Sequence, residues 1–208
     1  MLCYVSLVES LHPAEVRVLG ALLEKDITTP EYYPLTVSAL QNACNQKSSR
    51  DPVVSYDEAT VTEALASLQH RGMVLRITGA GHRVEKYSHR MGEKLNLGRR
   101  ELALLCVLML RGAQTVGELR GRTERMHDFA DMEEVERVLE TLDAHQPDPL
   151  VAPVARGRWV QLFGGPFEES ASPASAPART PLEARVEALE REVAEMKQQL
   201  ESFRRQFE

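Results

Sequence analysis

An internal repeat is the strongest constraint on the fold of this chain. Six apolar residues of the first half recur at helical spacing in the second half, with offsets of 86, 79 and 74 residues. The pairs are Leu19 and Leu105, Leu22 and Leu108, Leu40 and Leu119, Val61 and Val135, Leu65 and Leu139, and Leu68 and Leu142. Because the offset falls along the chain, the length differences lie in the loops and three helices form the shared unit. A chain of 208 residues therefore holds two copies of one small fold, each just large enough for its own core.

Each copy ends in two short β-prone runs around a glycine turn. In the first copy Ser55 and Glu58 match a capping box, which predicts the start of the third helix, and Gly72 predicts its end. The runs are residues 73–78 and 83–87 in the first copy and 150–154 and 158–163 in the second. Three helices followed by a hairpin is the order of a winged helix. The sequence thus predicts a mostly α fold with small β wings (α+β), with tandem winged-helix domains at residues 1–95 and 96–163.

The C-terminal region has a different character. Residues 164–181 are rich in Gly, Pro, Ala and Ser, which predicts a flexible linker. Apolar residues then alternate by four and three over residues 182–208, which predicts a coiled-coil helix and a parallel homodimer. The dimerisation residues are Leu182, Val186, Leu189, Val193, Met196 and Leu200. The alternative is an amphipathic helix that packs on its own protein.

Composition narrows the range of functions. The net charge is −6 at pH 7 and no segment is a basic block, so a nucleic-acid partner would need a local cationic surface. The cysteines Cys3, Cys44 and Cys106 form no C-x-x-C pair, so neither a disulfide framework nor a metal site is expected. No apolar run is long enough to span a membrane. We expect a cytoplasmic protein with no cofactor and no enzymatic activity.

A DNA-binding winged helix usually places its third helix in the major groove and its wing on phosphate. In the first copy, the residues with suitable chemistry in these regions are Lys47, Arg50, Ser67, His70, Arg83 and Lys86. The alternative is that these arginines are solvated and pair with nearby carboxylates. The third helix of the second copy is unsuited to DNA, because Glu133, Glu136, Glu140 and Asp143 all leave its buried face.

Several segments resemble the YceH-like family of uncharacterised bacterial proteins. They are Leu23-Glu24-Lys25, Thr28-Thr29-Pro30, Tyr33-Pro34-Leu35, Ala43-Cys44-Asn45-Gln46-Lys47-Ser48, Leu110-Arg111-Gly112-Ala113-Gln114-Thr115, Gly117-Glu118-Leu119-Arg120 and Arg125-Met126-His127 with Phe129, Asp131 and Met132. The resemblance implies tandem winged-helix domains and supplies no settled activity.

Two functions follow from these patterns. The first is a DNA-binding, transcription-regulator-like role on double-stranded DNA through the first copy. The alternative is a protein–protein interaction adaptor that uses the winged helices and coiled coil without DNA, with the acidic third helices binding a protein partner. Winged helices serve both uses, so the fold alone does not choose between them.

Overall fold

A computed structural model of the chain describes residues 10–78 and 84–165. The predictions for the glycine turn at 79–81, for Arg83, for the linker beyond residue 165 and for the coiled-coil helix 182–208 with its dimerisation residues lie outside the described residues. Those that are described belong to one compact unit.

Both repeats consist of helices with a small antiparallel hairpin. The first repeat contains α1 (Pro13–Thr28), α2 (Val37–Cys44), α3 (Glu58–His70), β1 (Val74–Ile77) and β2 (Lys86–His89), followed by the short helix α4 (Met91–Leu95). The second contains α5 (Arg99–Arg111), β3 (Gln114–Thr115), α6 (Val116–Thr123), α7 (Met132–Asp143), β4 (Val151–Val154) and β5 (Arg158–Gln161). Single 3₁₀ turns occur at Pro30–Tyr32 and Ala155–Gly157. The predicted α+β character is confirmed, and all the paired apolar residues of the repeat are buried.

The start of α3 differs from the prediction. The helix begins at Glu58, and its N-cap is Asp57, whose Oδ1 accepts a hydrogen bond of 2.9 Å from the Thr60 amide. The predicted capping box of Ser55 and Glu58 is therefore wrong, because the chain is still extended at Ser55. The predicted end is confirmed, since Gly72 has a φ of +68°, which glycine adopts without steric cost.

The helix caps repeat with the same offsets as the buried residues. Asp57 caps α3 and Asp131 caps α7, 74 residues apart. Thr36 caps α2 and Thr115 caps α6, 79 residues apart. Each of these side chains accepts a backbone N–H in the first turn of its helix, which otherwise has no partner within the helix. The two repeats thus share the capping residues that start these helices as well as the apolar faces that the helices bury.

Both hairpins carry a third, short strand position that the sequence did not reveal. In the second repeat β3 pairs with β5, with Gln114 opposite Trp159, and the strand order is β3-β5-β4. In the first repeat Leu35 forms an isolated bridge with Tyr87 of β2. Leu35 and Gln114 are 79 residues apart, the offset that relates α2 to α6. The two repeats therefore have the same topology.

The repeats pack together through their first helices. The Cys106 thiol on α5 lies 3.5 Å from the Gly20 carbonyl oxygen on α1, and these two positions are equivalent, 86 residues apart. A Cβ atom on Gly20 would lie 3.0 Å from the Met109 Cβ and from a Leu110 side-chain carbon. The close approach of α1 and α5 thus depends on the absence of a side chain at Gly20.

Candidate functional site

Arg50 was predicted to contact phosphate, and the structure corrects this prediction. Its side chain is 0% exposed. Its Nη2 lies 2.6 Å from Glu24 Oε2 and its Nη1 lies 3.1 Å from Glu24 Oε1, so the pair is bidentate. It also donates to the Ala43 carbonyl and to Gln46 Oε1. Arg50 is buried with its donors in use, and it fixes the turn after α2 to α1.

A second arginine supports the same turn from α1. Arg17 is buried and donates to the Pro52 carbonyl at 2.6 Å and to the Cys44 carbonyl at 3.4 Å. Burial alone would raise the pKa of Glu24, but hydrogen bonds and charge from Arg50 outweigh it and hold that pKa below its ordinary value. Glu24 therefore stays ionised at neutral pH, and the turn between α2 and α3 is anchored by charge-assisted bonds.

The other predicted contacts are spread over three elements. Lys47, in the turn after α2, and His70, at the end of α3, are exposed. Lys86 on β2 is half-buried, opposite Ile77 of β1. Lys47 and His70 are thus accessible to a polyanion, and Lys86 is only partly accessible.

Ser67 lies in a different environment. It is half-buried and lines a shallow pocket together with Glu15 and Glu63. The Arg71 Nε donates to its hydroxyl at 3.5 Å, and the same guanidinium lies 3.7 Å from the Glu15 carboxylate. This pocket contains two carboxylates and a hydroxyl that already accepts a hydrogen bond from Arg71. It therefore does not favour phosphate binding.

Two arginines near the first hairpin and one histidine lie beside carboxylates, as the alternative interpretation expected for the arginines. Arg76 lies 3.1 Å from Glu85, Arg90 lies 3.1 Å from Glu93, and His89 lies 3.2 Å from Asp26. The two exposed arginine pairs contribute little stability, but each carboxylate offsets the positive charge that its arginine would offer to a polyanion.

The outer face of α7 is acidic. Glu133, Glu136, Glu140 and Asp143 are all exposed, as the sequence predicted. Arg137 is the one exposed cation on this helix among the described residues. This surface repels phosphate and favours cationic groups.

The outer side of β1 is apolar. Leu75 is 45% exposed and Ile77 is 37% exposed, and they face Ser88 and Lys86 across the hairpin. Val84, just before β2, is 59% exposed. Within the described ranges β1 pairs with β2 alone, so its other edge presents unpaired backbone N–H and C=O groups. The first repeat thus has an open edge strand with exposed aliphatic side chains.

The equivalent strand of the second repeat is blocked. β4 pairs with β5 on one side, and it contains Pro153 opposite Trp159. Proline has no backbone N–H, and it is a common means of preventing an edge strand from pairing further. Of the two equivalent strands β1 and β4, only β1 keeps a backbone N–H at every position.

Sequence reasoning missed this edge, although the sequence carries a signal for it. A strand that covers a core with one face alternates apolar and polar residues. The run Val74-Leu75-Arg76-Ile77 instead has apolar residues on both faces.

Other chemistries have little support in the described ranges. No group of three His, Cys, Asp or Glu side chains there is arranged to hold a metal ion. Burial raises the pKa of the Cys44 thiol to about 12, so the thiol stays protonated and behaves as a core residue. None of the helices described combines the length and apolar character needed to cross a bilayer.

These features define a class: a two-repeat α+β protein with one open and one blocked edge strand. The chain belongs to the family described as "Protein of unknown function, DUF480", whose model matches residues 11–158 and so spans both repeats.

Relatives of similar length extend the match. A UPF0502 protein of Solibacter usitatus is 52% identical over 203 residues, covering 95% of this chain and 98% of that protein. A UPF0502 protein of Citrifermentans bemidjiense is 53% identical over 175 residues, covering 82% of this chain and 81% of the relative. The UPF0502 protein YceH of Salmonella paratyphi A is 47% identical over 205 residues, covering 93% and 95%. The resemblance to the YceH-like family is thereby confirmed.

Proposed function

We propose that the chain is a protein-interaction adaptor built from two winged-helix repeats, in which β1 pairs with an extended segment of a partner protein. The described order of elements supports the winged-helix assignment. In both repeats a helix is followed by a short strand position, two more helices and a hairpin, and the short strand position pairs with the last strand.

Two features of β1 together carry this proposal. Its exposed face carries the aliphatic side chains of Leu75 and Ile77, and its outer edge has unpaired backbone N–H and C=O groups. An added strand would satisfy its free backbone groups, which gives affinity, and would cover Leu75 and Ile77, which gives specificity. Exposed aliphatic side chains grouped on one strand are typical of protein interaction sites. The partner segment is therefore extended, with apolar side chains at alternate positions. The acidic face of α7 would disfavour partners that carry negative charge nearby.

The second repeat suggests a variant that tests this proposal. Arg76 of β1 is opposite Tyr87, as Pro153 of β4 is opposite Trp159. Because Pro153 has no N–H to give to β5, the nitrogen at this register position points away from the paired strand. Arg76→Pro would therefore block the open edge and leave the hairpin intact. Arg76→Ala is the matched control, since it removes the ion pair with Glu85 but keeps the N–H.

Peptide selection tests the proposal directly. A random peptide library displayed on phage is selected on the wild-type chain and depleted on the Arg76→Pro variant. We expect enriched peptides with alternating apolar residues, which bind the wild type and Arg76→Ala alike and bind Arg76→Pro about tenfold or more weakly. Failure to enrich such peptides, or equal binding to the proline variant, would refute the edge-pairing function.

DNA binding is a second candidate, favoured by the winged-helix order and by the exposed Lys47 and His70. It ranks lower because Arg50 is buried and α7 is acidic. The test is fluorescence anisotropy of the chain with random duplex DNA at two salt concentrations. A DNA binder loses affinity steeply with salt and weakens on Lys47→Glu. Identical binding curves at both salt concentrations, or no binding at either concentration, would exclude DNA binding.

We also propose that the chain is a homodimer through residues 182–208, because their heptad pattern has β-branched residues at one core position and Leu or Met at the other. Light scattering of the whole chain and of a truncation after Gly165 tests this. The dimer is excluded if both have the mass of one chain.

A further inference from the structure

A pocket of about 220 Å³ lies between the two repeats. Its walls come from the end of α1, the turn after α2, the last turns of α5 and the end of α6. Among the described side chains that line it, four are cationic: Lys25, Arg111, Arg122 and Arg125. Glu24 is the one lining carboxylate in that group. The pocket is therefore a concave site with an excess of positive charge.

Part of this charge is compensated by neighbours. Both oxygens of Glu24 bind the buried Arg50, which lies outside the pocket lining, so Glu24 has little charge left for the pocket. Arg122 lies 3.4 Å from Glu118 on its own helix. Arg111 and Arg125, by contrast, form neither a hydrogen bond nor an ion pair through their guanidinium groups with any described residue. Two guanidinium groups thus line the pocket without a directly bonded carboxylate among the described residues.

Arg111 is the more constrained of the two. It is half-buried at the C-terminal end of α5. Burial lowers the pKa of Arg111, the positive charges of Arg122 and Arg50 lower it further, and the carboxylates of Glu24 and Asp51 offset only part of this. A partly buried cation among cations is unfavourable unless an anion compensates it. This arrangement is expected of a site whose counter-ion is a ligand.

We propose that this pocket binds a small molecule that carries a phosphate monoester group. A phosphate monoester is close to a dianion at neutral pH, which matches the two uncompensated guanidinium groups of Arg111 and Arg125. Guanidinium groups bind phosphate oxygens in a bidentate manner. The hydroxyls of Ser48 and Ser49 line the same pocket and can donate to the remaining oxygens. The volume lies below the range of about 300–1,000 Å³ typical of drug-sized ligands, so the molecule is small.

Isothermal titration calorimetry of the full chain tests the proposal, with glycerol phosphate as the probe and succinate as a dicarboxylate of similar charge. We expect glycerol phosphate to bind one to one and succinate to bind about tenfold or more weakly. Arg111→Gln and Arg125→Gln should each weaken glycerol phosphate binding by about tenfold or more. Arg137→Gln, an exposed arginine on α7 outside the pocket, is the matched control and should change nothing.

Three outcomes would overturn the proposal. The first is no heat of binding at millimolar glycerol phosphate. The second is equal affinity for succinate, which would assign the pocket to carboxylates. The third is an equal loss of glycerol phosphate affinity in Arg137→Gln, which would show that binding depends on the overall charge of the protein and not on this pocket. Arg125 is exposed, so Arg125→Gln should fold normally and keeps the test decisive if Arg111→Gln perturbs the fold.

Discussion

The two repeats share their topology, their helix caps and their buried apolar positions, but they differ where they meet solvent. The edge strand β1 of the first repeat keeps its donors and exposes Leu75 and Ile77, whereas β4 of the second contains Pro153. The third helix α7 of the second repeat carries four exposed carboxylates, whereas α3 of the first exposes two, Glu58 and Glu63, together with His70. The core thus preserves the duplicated fold, while the exposed surfaces of the two copies differ.

A second difference lies at the contact between the repeats. Glu24 on α1 corresponds to Leu110 on α5, 86 residues later. The first repeat therefore fixes its α2–α3 turn with a buried ion pair to Arg50, and the second has a buried leucine at that position. A buried pair stabilises only as long as both partners are present, because either partner alone is an unpaired buried charge.

The largest expected effect comes from breaking that pair. Glu24→Gln leaves the buried Arg50 without its carboxylate and should lower the free energy of unfolding by about 3–5 kcal/mol. The double variant Glu24→Leu with Arg50→Met, which makes the first repeat resemble the second, should recover most of this loss. Urea unfolding measures both, with Lys25→Gln as a control that removes only a half-buried second partner of the same carboxylate. A loss of under about 1 kcal/mol in Glu24→Gln would contradict the role of the pair.

The Glu24–Arg50 pair also predicts how the free energy of unfolding depends on pH. The pKa of Glu24 is lowered in the folded chain, so its contribution to stability is complete above the ordinary value of 4.5. That contribution is lost as the pH falls through the lowered folded pKa. The free energy of unfolding of the wild type should thus fall more in acid than that of the double variant, which has no titrating group there.

The next largest effect is expected at Gly20. A side chain here would press on Met109 and Leu110 of α5, so Gly20→Val should destabilise the chain by about 1–3 kcal/mol or more through overpacking. Gly121 of α6 is the matched control, because a Cβ atom there meets nothing within 4 Å. Gly121→Ala should be neutral or stabilising by up to about 1 kcal/mol. Thermal unfolding distinguishes them, and equal effects of the two variants would show that Gly20 does not set the packing of α1 on α5.

The helix caps give a smaller and paired effect. Asp57→Ala and Asp131→Ala should each cost about 1 kcal/mol, since each removes an acceptor for a first-turn amide. Ser55→Ala should cost close to nothing, because Ser55 lies before the cap. Urea unfolding of the three variants checks this, and a larger cost for Ser55→Ala than for Asp57→Ala would restore the capping box that the structure rejects.

The smallest effect concerns His89 of the first repeat, whose equivalent in the second is Gln161. Burial lowers the pKa of His89, and Asp26, 3.2 Å away, partly raises it again. Asp26→Asn should therefore lower the pKa of His89 further, which NMR titration measures against the exposed His70. The folded pKa lies below the ordinary 6.5, so stability is full above pH 6.5 and is lost as the pH falls through the folded value. An upward shift in Asp26→Asn would show that Asp26 does not favour the charged ring.

The sequence predicted the helices because a buried face repeats every three or four residues within each helix. It misplaced the start of α3, since Ser55 and Asp57 are both good caps and lie two residues apart. It missed β3 because a two-residue strand has no periodicity. It placed Arg50 on the surface because its partner Glu24 is 26 residues away, and such pairing is fixed only by the packing of α1 against the turn. The pocket between the repeats was invisible for the same reason.

Pro153 has a consequence for how many chains can associate. Edge strands add to one another, and a molecule with two open edges can join a neighbour on each side and grow into a fibre. With β4 blocked, the second sheet keeps only the two-residue strand β3 as an open edge, so β1 is the one long open edge among the described strands. Pairing of β1 with β1 of a second molecule uses up that edge, so Pro153 prevents the equivalent strand of the second repeat from extending such a pair into a fibre.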